Sequence, residues 1–544
     1  MHGLTADTAA FPKLTDDQLS QLCQLAERRQ LTSGDALFRA GDKDFDFFAI
    51  LDGEVEIVDD SSGERTRVVV HGPREFTGDV SLLTGRPAVV SAFALGDCDL
   101  LAVPAEELRR VLNEVPELSE LLLEAFQVRR RLLEQSDFTG LRIFGPALSA
   151  ETLQLREFLY KNKVPFTFLD VEDDLGRQGL TDLGLSGEDT PVLACSEHVV
   201  AKPSLAKVAE CLGINRRIPD ELFDMTVVGA GPAGLAAAVY AASEGLNTLV
   251  IDGVGPGGQA GTSSRIENYM GFPSGLSGAD LANLGFLQAL KFGAKFTAPV
   301  PARRLSGEAG DFRLELCTGQ QVRTRTLLVA TGVGYRRLPA EGCADFEGAG
   351  VYYSATTVEA RGCQGSPVVV VGGGNSAGQA ALFLARSGCE VRLLIRGDDL
   401  SAKMSQYLTG RIDHDPRIRV MTRTEVSEVD GDDRLRSATL KDRRSGQTER
   451  LDCAGLFCFI GADPKTEWLP ESVARDERDF LLCGREVSNS GRWPLDREPC
   501  PVETSLPGVF AAGDVRSGST KRVAFAVGDG AFAVSCAHEV LASV

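Results

Sequence analysis

Val227-Val228-Gly229-Ala230-Gly231-Pro232-Ala233-Gly234 reads as an apolar strand that enters a glycine-rich turn, followed by a helical run to Ala242. Val368-Val369-Val370-Val371-Gly372-Gly373-Gly374-Asn375-Ser376-Ala377 repeats the pattern, with a helical run to Ser387. The glycines permit the tight turn and let backbone approach a pyrophosphate, whose charge a helix N-terminus favours. One such stretch is a weak signal. Two in one chain imply two nucleotides, and the economical pair is FAD with a nicotinamide. The fold class that follows is α/β, with two Rossmann-like, three-layer domains.

The residues beyond each turn separate the two roles. The first unit continues to Asp252, near the position about 20 residues on where an acidic side chain binds a ribose hydroxyl pair. The second continues to Arg396, at the equivalent strand end, where a cation suits a 2′-phosphate. The first unit therefore reads as the FAD site and the second as an NADPH site, with NADH as the alternative cofactor. A solvated surface charge is the plainer reading of Arg396. Asp398 and Asp399 follow it and would repel a phosphate, while Lys403 offsets them.

Composition sets outer limits. A chain of 544 residues should hold three or four domains. The net charge of −20 argues against a nucleic-acid partner. No run approaches the length of a membrane span, and the first residues lack the charged-then-apolar pattern of a signal peptide, so a cytoplasmic protein with no membrane contact is expected. Thirteen cysteines invite a redox reading, yet no Cys-x-x-Cys occurs. Cys453 and Cys458 lie in an apolar run that reads as a strand; an odd separation puts their side chains on opposite faces, which makes them poor disulfide candidates. Burial as a small hydrophobe is the expectation for each cysteine, and no zinc-type cluster or other metal site is visible.

From about Leu222 to Val544 the chain resembles the low-molecular-weight thioredoxin reductases. Gly257-Gly258-Gln259-Ala260 and Ile266-Glu267-Asn268-Tyr269-Met270-Gly271-Phe272-Pro273 resemble the family's flavin-ring segment. Leu327-Leu328-Val329-Ala330-Thr331-Gly332 resembles the strand that closes the FAD half, and Phe459-Ile460-Gly461-Ala462-Asp463-Pro464 the return from the nicotinamide half. Gly508-Val509-Phe510-Ala511-Ala512-Gly513-Asp514 resembles the segment that sets an Asp on the flavin ribityl chain. Lys521-Arg522-Val523-Ala524 resembles the start of the last helix, at the flavin pyrimidine edge. The resemblance implies FAD on Gly229, Gly231, Gly234, Asp252, Gly258, Gln259, Asn268, Thr331, Gly332, Gly513, Asp514, Val523 and Ala524. It implies NADPH on Gly372, Gly374, Asn375, Ser376, Ala377, Arg396, Lys403 and Gly461. It also implies a homodimer.

The family carries its redox Cys-x-x-Cys shortly before the second glycine turn. The matching stretch here is Gly350-Val351-Tyr352-Tyr353-Ser354-Ala355-Thr356-Thr357-Val358, with Ser354 and Thr357 at the two cysteine positions and Val358 where an acidic proton donor would follow. Hydroxyls cannot cycle through a disulfide, which needs an attacking thiolate and a receiving sulfur. The internal relay is therefore absent and no catalytic residue is certain, while hydride transfer between the two cofactors is untouched.

Residues 11–135 resemble a cyclic-nucleotide-binding β-barrel with an exit helix at Glu117–Glu134. In the stretch Phe76 to Ala88, Ala88 takes the place of the phosphate-binding Arg and Asp79 that of the ribose-binding Glu. Arg86 precedes the proline and falls short, so cyclic-nucleotide binding is doubtful. Residues 140–213 resemble a glutaredoxin-type thioredoxin fold: a strand at Leu141–Gly145, a helix at Ala150–Asn162, a strand at Val164–Asp170, a cis-proline segment at Thr190-Pro191 and a closing helix at Pro203–Leu212. Its active-site loop holds no cysteine, so a docking platform is expected. The FAD domain is expected at 222–333 and 460–544, and the NAD(P)H domain at 334–459.

Two functions remain. One is an NADPH-dependent FAD oxidoreductase whose acceptor is a thioredoxin-like or ferredoxin-like protein, a quinone or a second flavoprotein. The other is a sensor that carries FAD without turnover.

Overall fold

The computed structural model describes residues 9–60, 65–135, 140–147, 149–195, 198–263, 265–355, 357–432 and 434–543, without the side chains of Gln135, Ala150, Thr357 and Val358. Thr356 and the Thr357 side chain, in the stretch matched to the cysteine pair, lie outside the described residues, as do Leu148 of the loop expected to resemble a glutaredoxin's and Val544.

The first glycine turn sits at the centre of a mixed sheet. Strand Leu222–Val228 pairs in parallel with Thr248–Ile251 on one side and Gln321–Val329 on the other. Lys295–Thr297 extends the parallel edge, Asp311–Leu316 and Ala302–Glu308 form an antiparallel flank, and Val509–Ala511 returns beside Gln321–Val329. Strands this apolar are what a sheet covered on both faces requires. Helices Pro232–Ser243, Gly278–Lys291 and Val523–Leu541 share one core with Met225, Val227 and Phe510.

The second turn follows Pro367–Val371 in a five-stranded parallel sheet of order Val351–Tyr352, Gly455–Cys458, Pro367–Val371, Glu390–Leu394, Ile418–Met421. Only two crossovers join the halves. Val333–Tyr335 and Ala462–Pro464 pair there antiparallel, Gly334 opposite Asp463.

Before these halves come two smaller modules. Among the described residues, seven strands between Glu27 and Val103 form two antiparallel sheets around Phe47, Phe48, Leu100 and Phe126. Helix Pro116–Gln135 leaves them. Next, Leu141–Gly145 pairs in parallel with Thr167–Asp170 and antiparallel with Val192–Cys195, which carries Val199–Ala201 at its edge. The Thr190–Pro191 peptide is cis. Helices Ala150–Lys161 and Leu205–Cys211 begin or end within two residues of the expected bounds, but the second strand starts at Thr167 rather than Val164.

Two expectations need correction. Helix Val523–Leu541 is long and apolar enough, by length and composition, to cross a membrane. Ala526, Ala533, Val534 and Ala537 nevertheless pack it into the FAD-half core. Cys453 lies before strand Gly455–Cys458, so alternation does not apply to it, and both cysteines enter one core cluster. Arg86, expected to fall short of a cyclic phosphate, donates to the backbone carbonyl of Asn162 in the next module.

Candidate functional site

The crevice forms where strand Leu222–Val228 gives way to helix Pro232–Ser243. Gly229 turns the chain at φ +111°, and a Cβ there would stand 2.3 Å from the Ala330 carbonyl oxygen. Any larger residue would close the turn. Gly231 caps the helix without a side-chain bond, which leaves first-turn N–H groups for an anion. Gly258 packs against Gly231, and Gly513 against Ala233. Thr331 lies beside Gly229, and its hydroxyl donates to the Lys465 carbonyl at 3.1 Å. The structure thus gathers Gly258, Thr331 and Gly513 around one helix end.

Asp252 follows strand Thr248–Ile251 and is more constrained than a free ribose ligand. Its carboxylate accepts from Ala230 N, Val254 N and Gly255 N, each at 2.8 Å. It therefore ties the glycine turn to the following loop. Gln259 donates to the Val333 carbonyl at 2.6 Å, which places it at the crossover with Gly332. Asn268 is exposed on the loop between Ile266 and Leu276. Burial raises the Asp514 carboxyl above the ordinary range, and Lys521 offsets part of this. Val523 and Ala524 open the last helix, whose cap residue Arg522 makes no side-chain cap bond.

The second turn is built the same way. Gly372 has φ +148°, and a Cβ there would stand 2.4 Å from the Phe459 carbonyl oxygen. Gly374 caps helix Asn375–Arg386 without a side-chain bond. Asn375 faces Ser405, donating to its Oγ at 2.9 Å and accepting its N–H at 2.7 Å. This holds the segment that carries Lys403. Ser376 is exposed on the first helical turn and Ala377 is buried beneath it. Arg396 and Lys403 are exposed, and among the described residues neither side chain has a protein partner. The expected repulsion from the aspartates is weakened, because Asp398 pairs with Arg423 and Asp399 accepts from Ser401. Gly461, on the return crossover, accepts from Arg336 N at 3.0 Å.

Ser354 is half-buried after strand Val351–Tyr352. The Tyr353 ring stacks on Tyr335 of the crossover with centroids 6.3 Å apart. Helix Ala150–Lys161 of the preceding module lies over this stretch. Leu153 packs on the cluster that includes Ala355, and Arg156 sits close to Glu359 and Arg361. A second tie runs from Arg434 to Glu172 at 2.6 Å.

Seven of the eleven free cysteines are buried as expected, whereas Cys195 and Cys211 are half-buried and Cys23 and Cys317 exposed. Burial pushes the Cys343 thiol up to about 11 and those of Cys363, Cys453 and Cys483 up to about 12, which makes them poor nucleophiles. Cys500 and Cys536 form a disulfide with Cα atoms 6.1 Å apart. No local spacing announces this pair. Among the described residues no group of His, Cys, Asp and Glu could hold a metal ion.

Comparison with known proteins agrees with this geometry. Residues 223–530 match the model of the pyridine nucleotide-disulphide oxidoreductases, and residues 28–115 that of the cyclic nucleotide-binding domain. A thioredoxin reductase from Treponema pallidum is 34% identical over 320 residues, covering 58% of this chain and 96% of its own length. A bifunctional thioredoxin reductase/thioredoxin from Mycobacterium leprae is 32% identical over 59% of this chain and 67% of its own length. The crystal structure of T. acidophilum thioredoxin reductase matches with a TM-score of 0.53 and 29% identity, covering 59% of this chain and 99% of that one. Thioredoxin reductases use FAD and NADPH. The two uncapped helix starts and the two turns that a Cβ would fill suit both groups.

Proposed function

The chain belongs to the pyridine nucleotide-disulphide oxidoreductase family, and on that premise we propose an NADPH-dependent FAD oxidoreductase that serves its acceptor without an internal cysteine pair. The carrying observation is the contrast within the nicotinamide half. Its second glycine turn is complete and Arg396 is exposed just past the next strand, while the cysteine positions hold Ser354 and Thr357. Bound together, the cofactors supply hydride transfer from nicotinamide to flavin. The chain's part is to hold them. Gly229, Gly231, Gly234 and Gly258 cradle the FAD pyrophosphate, Asp252 keeps that turn closed, and Asp514, Val523 and Ala524 meet the flavin end. Gly372, Gly374 and Ser376 receive the NADPH pyrophosphate, and Arg396 with Lys403 its 2′-phosphate.

The acceptor lies outside the chain: a thioredoxin-like or ferredoxin-like protein, or a quinone. The helix over Ala355 supports an acceptor that does not approach through that stretch. We read residues 140–213 as an inert thioredoxin-type module docked there. A cytoplasmic homodimer completes the proposal, and the Cys500–Cys536 disulfide is unusual for a reducing compartment. A second reading, a flavin-bearing sensor, draws on one chain of contacts. Arg86 of the barrel donates to the Asn162 carbonyl, and Asn162 donates to the Val254 carbonyl at 2.9 Å, beside Asp252.

Anaerobic oxidation of NADPH by the purified flavoprotein, with and without oxidised thioredoxin, ferredoxin or a quinone, tests both. Rapid flavin reduction with turnover on one acceptor supports the enzyme. Slow reduction with no acceptor competent would leave only the sensor. Light scattering that finds monomer at micromolar concentration would remove the dimer.

A further inference from the structure

The two barrel sheets do not close on themselves. Between their open end and helix Pro116–Gln135 lies a cavity with about 590 Å³ of empty space, its mouth included. Phe38, Phe45, Ile57, Val69, Val90 and Leu132 form most of its wall. Small-ligand pockets are mainly apolar with a few fixed polar groups, and this lining has that character.

Three polar side chains reach it: His71, Asp79 and Arg129. Two are already engaged. Asp79 pairs with Arg130 and accepts from Ser81 N at 2.8 Å. His71 bonds Glu75 through Nδ1 at 3.3 Å, and burial holds its pKa down to about 4, so the ring is neutral. Arg129 differs. It is 8% exposed and stacks 4.5 Å from the Phe76 ring centroid. Its Nε donates to the Ala10 carbonyl at 2.8 Å and its Nη1 to the Gly78 carbonyl at 2.9 Å. Its buried Nη2 has no acceptor. A buried cationic donor without a partner is costly, and an anion arriving through an apolar cavity removes that cost.

We propose that this cavity binds an apolar carboxylate, its hydrocarbon body along the Phe38, Phe45 and Val69 wall and its carboxylate on Arg129 Nη2. A cyclic nucleotide fits the same space poorly. Ala88 offers its phosphate no charge, Asp79 is committed to Arg130, and the wall gives a sugar little to bond. Arg129 stands on the helix that leaves the barrel, and its neighbour Arg130 donates to the Lys163 carbonyl of the next module at 3.3 Å. An occupant would therefore order the junction between the two modules.

Isothermal titration calorimetry on the full flavin-loaded chain tests this, with decanoate, decanol and cyclic AMP as probes. Decanoate should bind at least tenfold more tightly than decanol, and cyclic AMP more weakly than either. Arg129→Met should abolish the preference for the carboxylate over the alcohol. Val69→Phe, which narrows the cavity and keeps the cation, should weaken decanoate at least tenfold, so the test stands even if Arg129→Met does not fold. Equal binding of acid and alcohol, undiminished binding by Val69→Phe, or tighter binding of cyclic AMP would each overturn the proposal.

Discussion

Arg411 Nη1 donates to Glu267 Oε2 at 2.7 Å, an ion pair between the nicotinamide half and the loop matched to the flavin-ring segment. Besides the paired crossover strands, this contact helps fix how the halves face one another. Its side chains are 45% and 30% exposed, so it is worth at most about 1 kcal/mol, a factor of about five between two arrangements. A split domain on two crossovers permits such arrangements to differ by rigid rotation. Arg411→Ala should change the stopped-flow rate of flavin reduction by NADPH up to about fivefold, with melting temperature and flavin content unchanged. Raising ionic strength should reproduce the effect in the parent chain and not in the variant, because exposed pairs are screened. A variant that keeps the parent's rate and salt dependence would show that the crossovers alone set the arrangement.

Arg396 should carry the cofactor choice. A charge-assisted bond to a 2′-phosphate is worth about 1.5–3 kcal/mol, so Arg396→Ala should raise the KM for NADPH roughly tenfold to a hundredfold. The KM for NADH should move little, since that cofactor has no such group. Lys403→Ala should act in the same direction and less, because the residue stands seven positions further along the loop. Equal rises for the two cofactors would assign Arg396 a structural role instead.

Local chemistry was readable in the sequence and distant pairing was not. Gly229 and Gly372 announce themselves because positive φ and close backbone approach leave no other residue. Helix ends fell within a residue or two for the same reason, since caps are local. What the sequence left unread shares a cause. Arg86 finds Asn162 across 76 residues and Cys500 finds Cys536 across 36, and no spacing rule predicts contacts that tertiary packing makes. Cys453 was misread because alternation was applied two residues before the strand begins. Asp252 was legible as an acid at a strand end, but not its three backbone donors, which only the folded loop supplies.

The Cys500–Cys536 disulfide should be structural and take no part in electron transfer. It joins the loop before Glu503 to the last helix, and Cys536 lies roughly 20 Å along that helix from its start at Val523, where the flavin edge is proposed, at 1.5 Å per residue. The denatured, unreduced chain should titrate eleven thiols, and thirteen after reduction. Replacing both cysteines with Ser should lower stability by about 2–4 kcal/mol and leave the rate of flavin reduction unchanged. Thirteen thiols without a reductant would remove the disulfide, and a slowed flavin would make it a relay.

His71 should make the barrel acid-sensitive. Burial holds its folded pKa at about 4 against 6.5 for a free ring, so the unfolded chain takes up a proton that the folded barrel refuses. Stability is therefore full above pH 6.5 and falls as the pH drops from there towards 4, by roughly 3 kcal/mol at the limit. Glu75 acts in the same sense. Bonds from His71 and the Gly72 N–H hold its carboxyl below the ordinary range although burial opposes them, so its contribution is also lost in acid. His71→Gln keeps a donor for Glu75 and removes the titration. Scanning calorimetry of the barrel transition at pH 7 and pH 5 should show a large drop in the parent and a much smaller one in the variant. Parallel drops would mean that carboxylates elsewhere, and not His71, set the acid limit of this module.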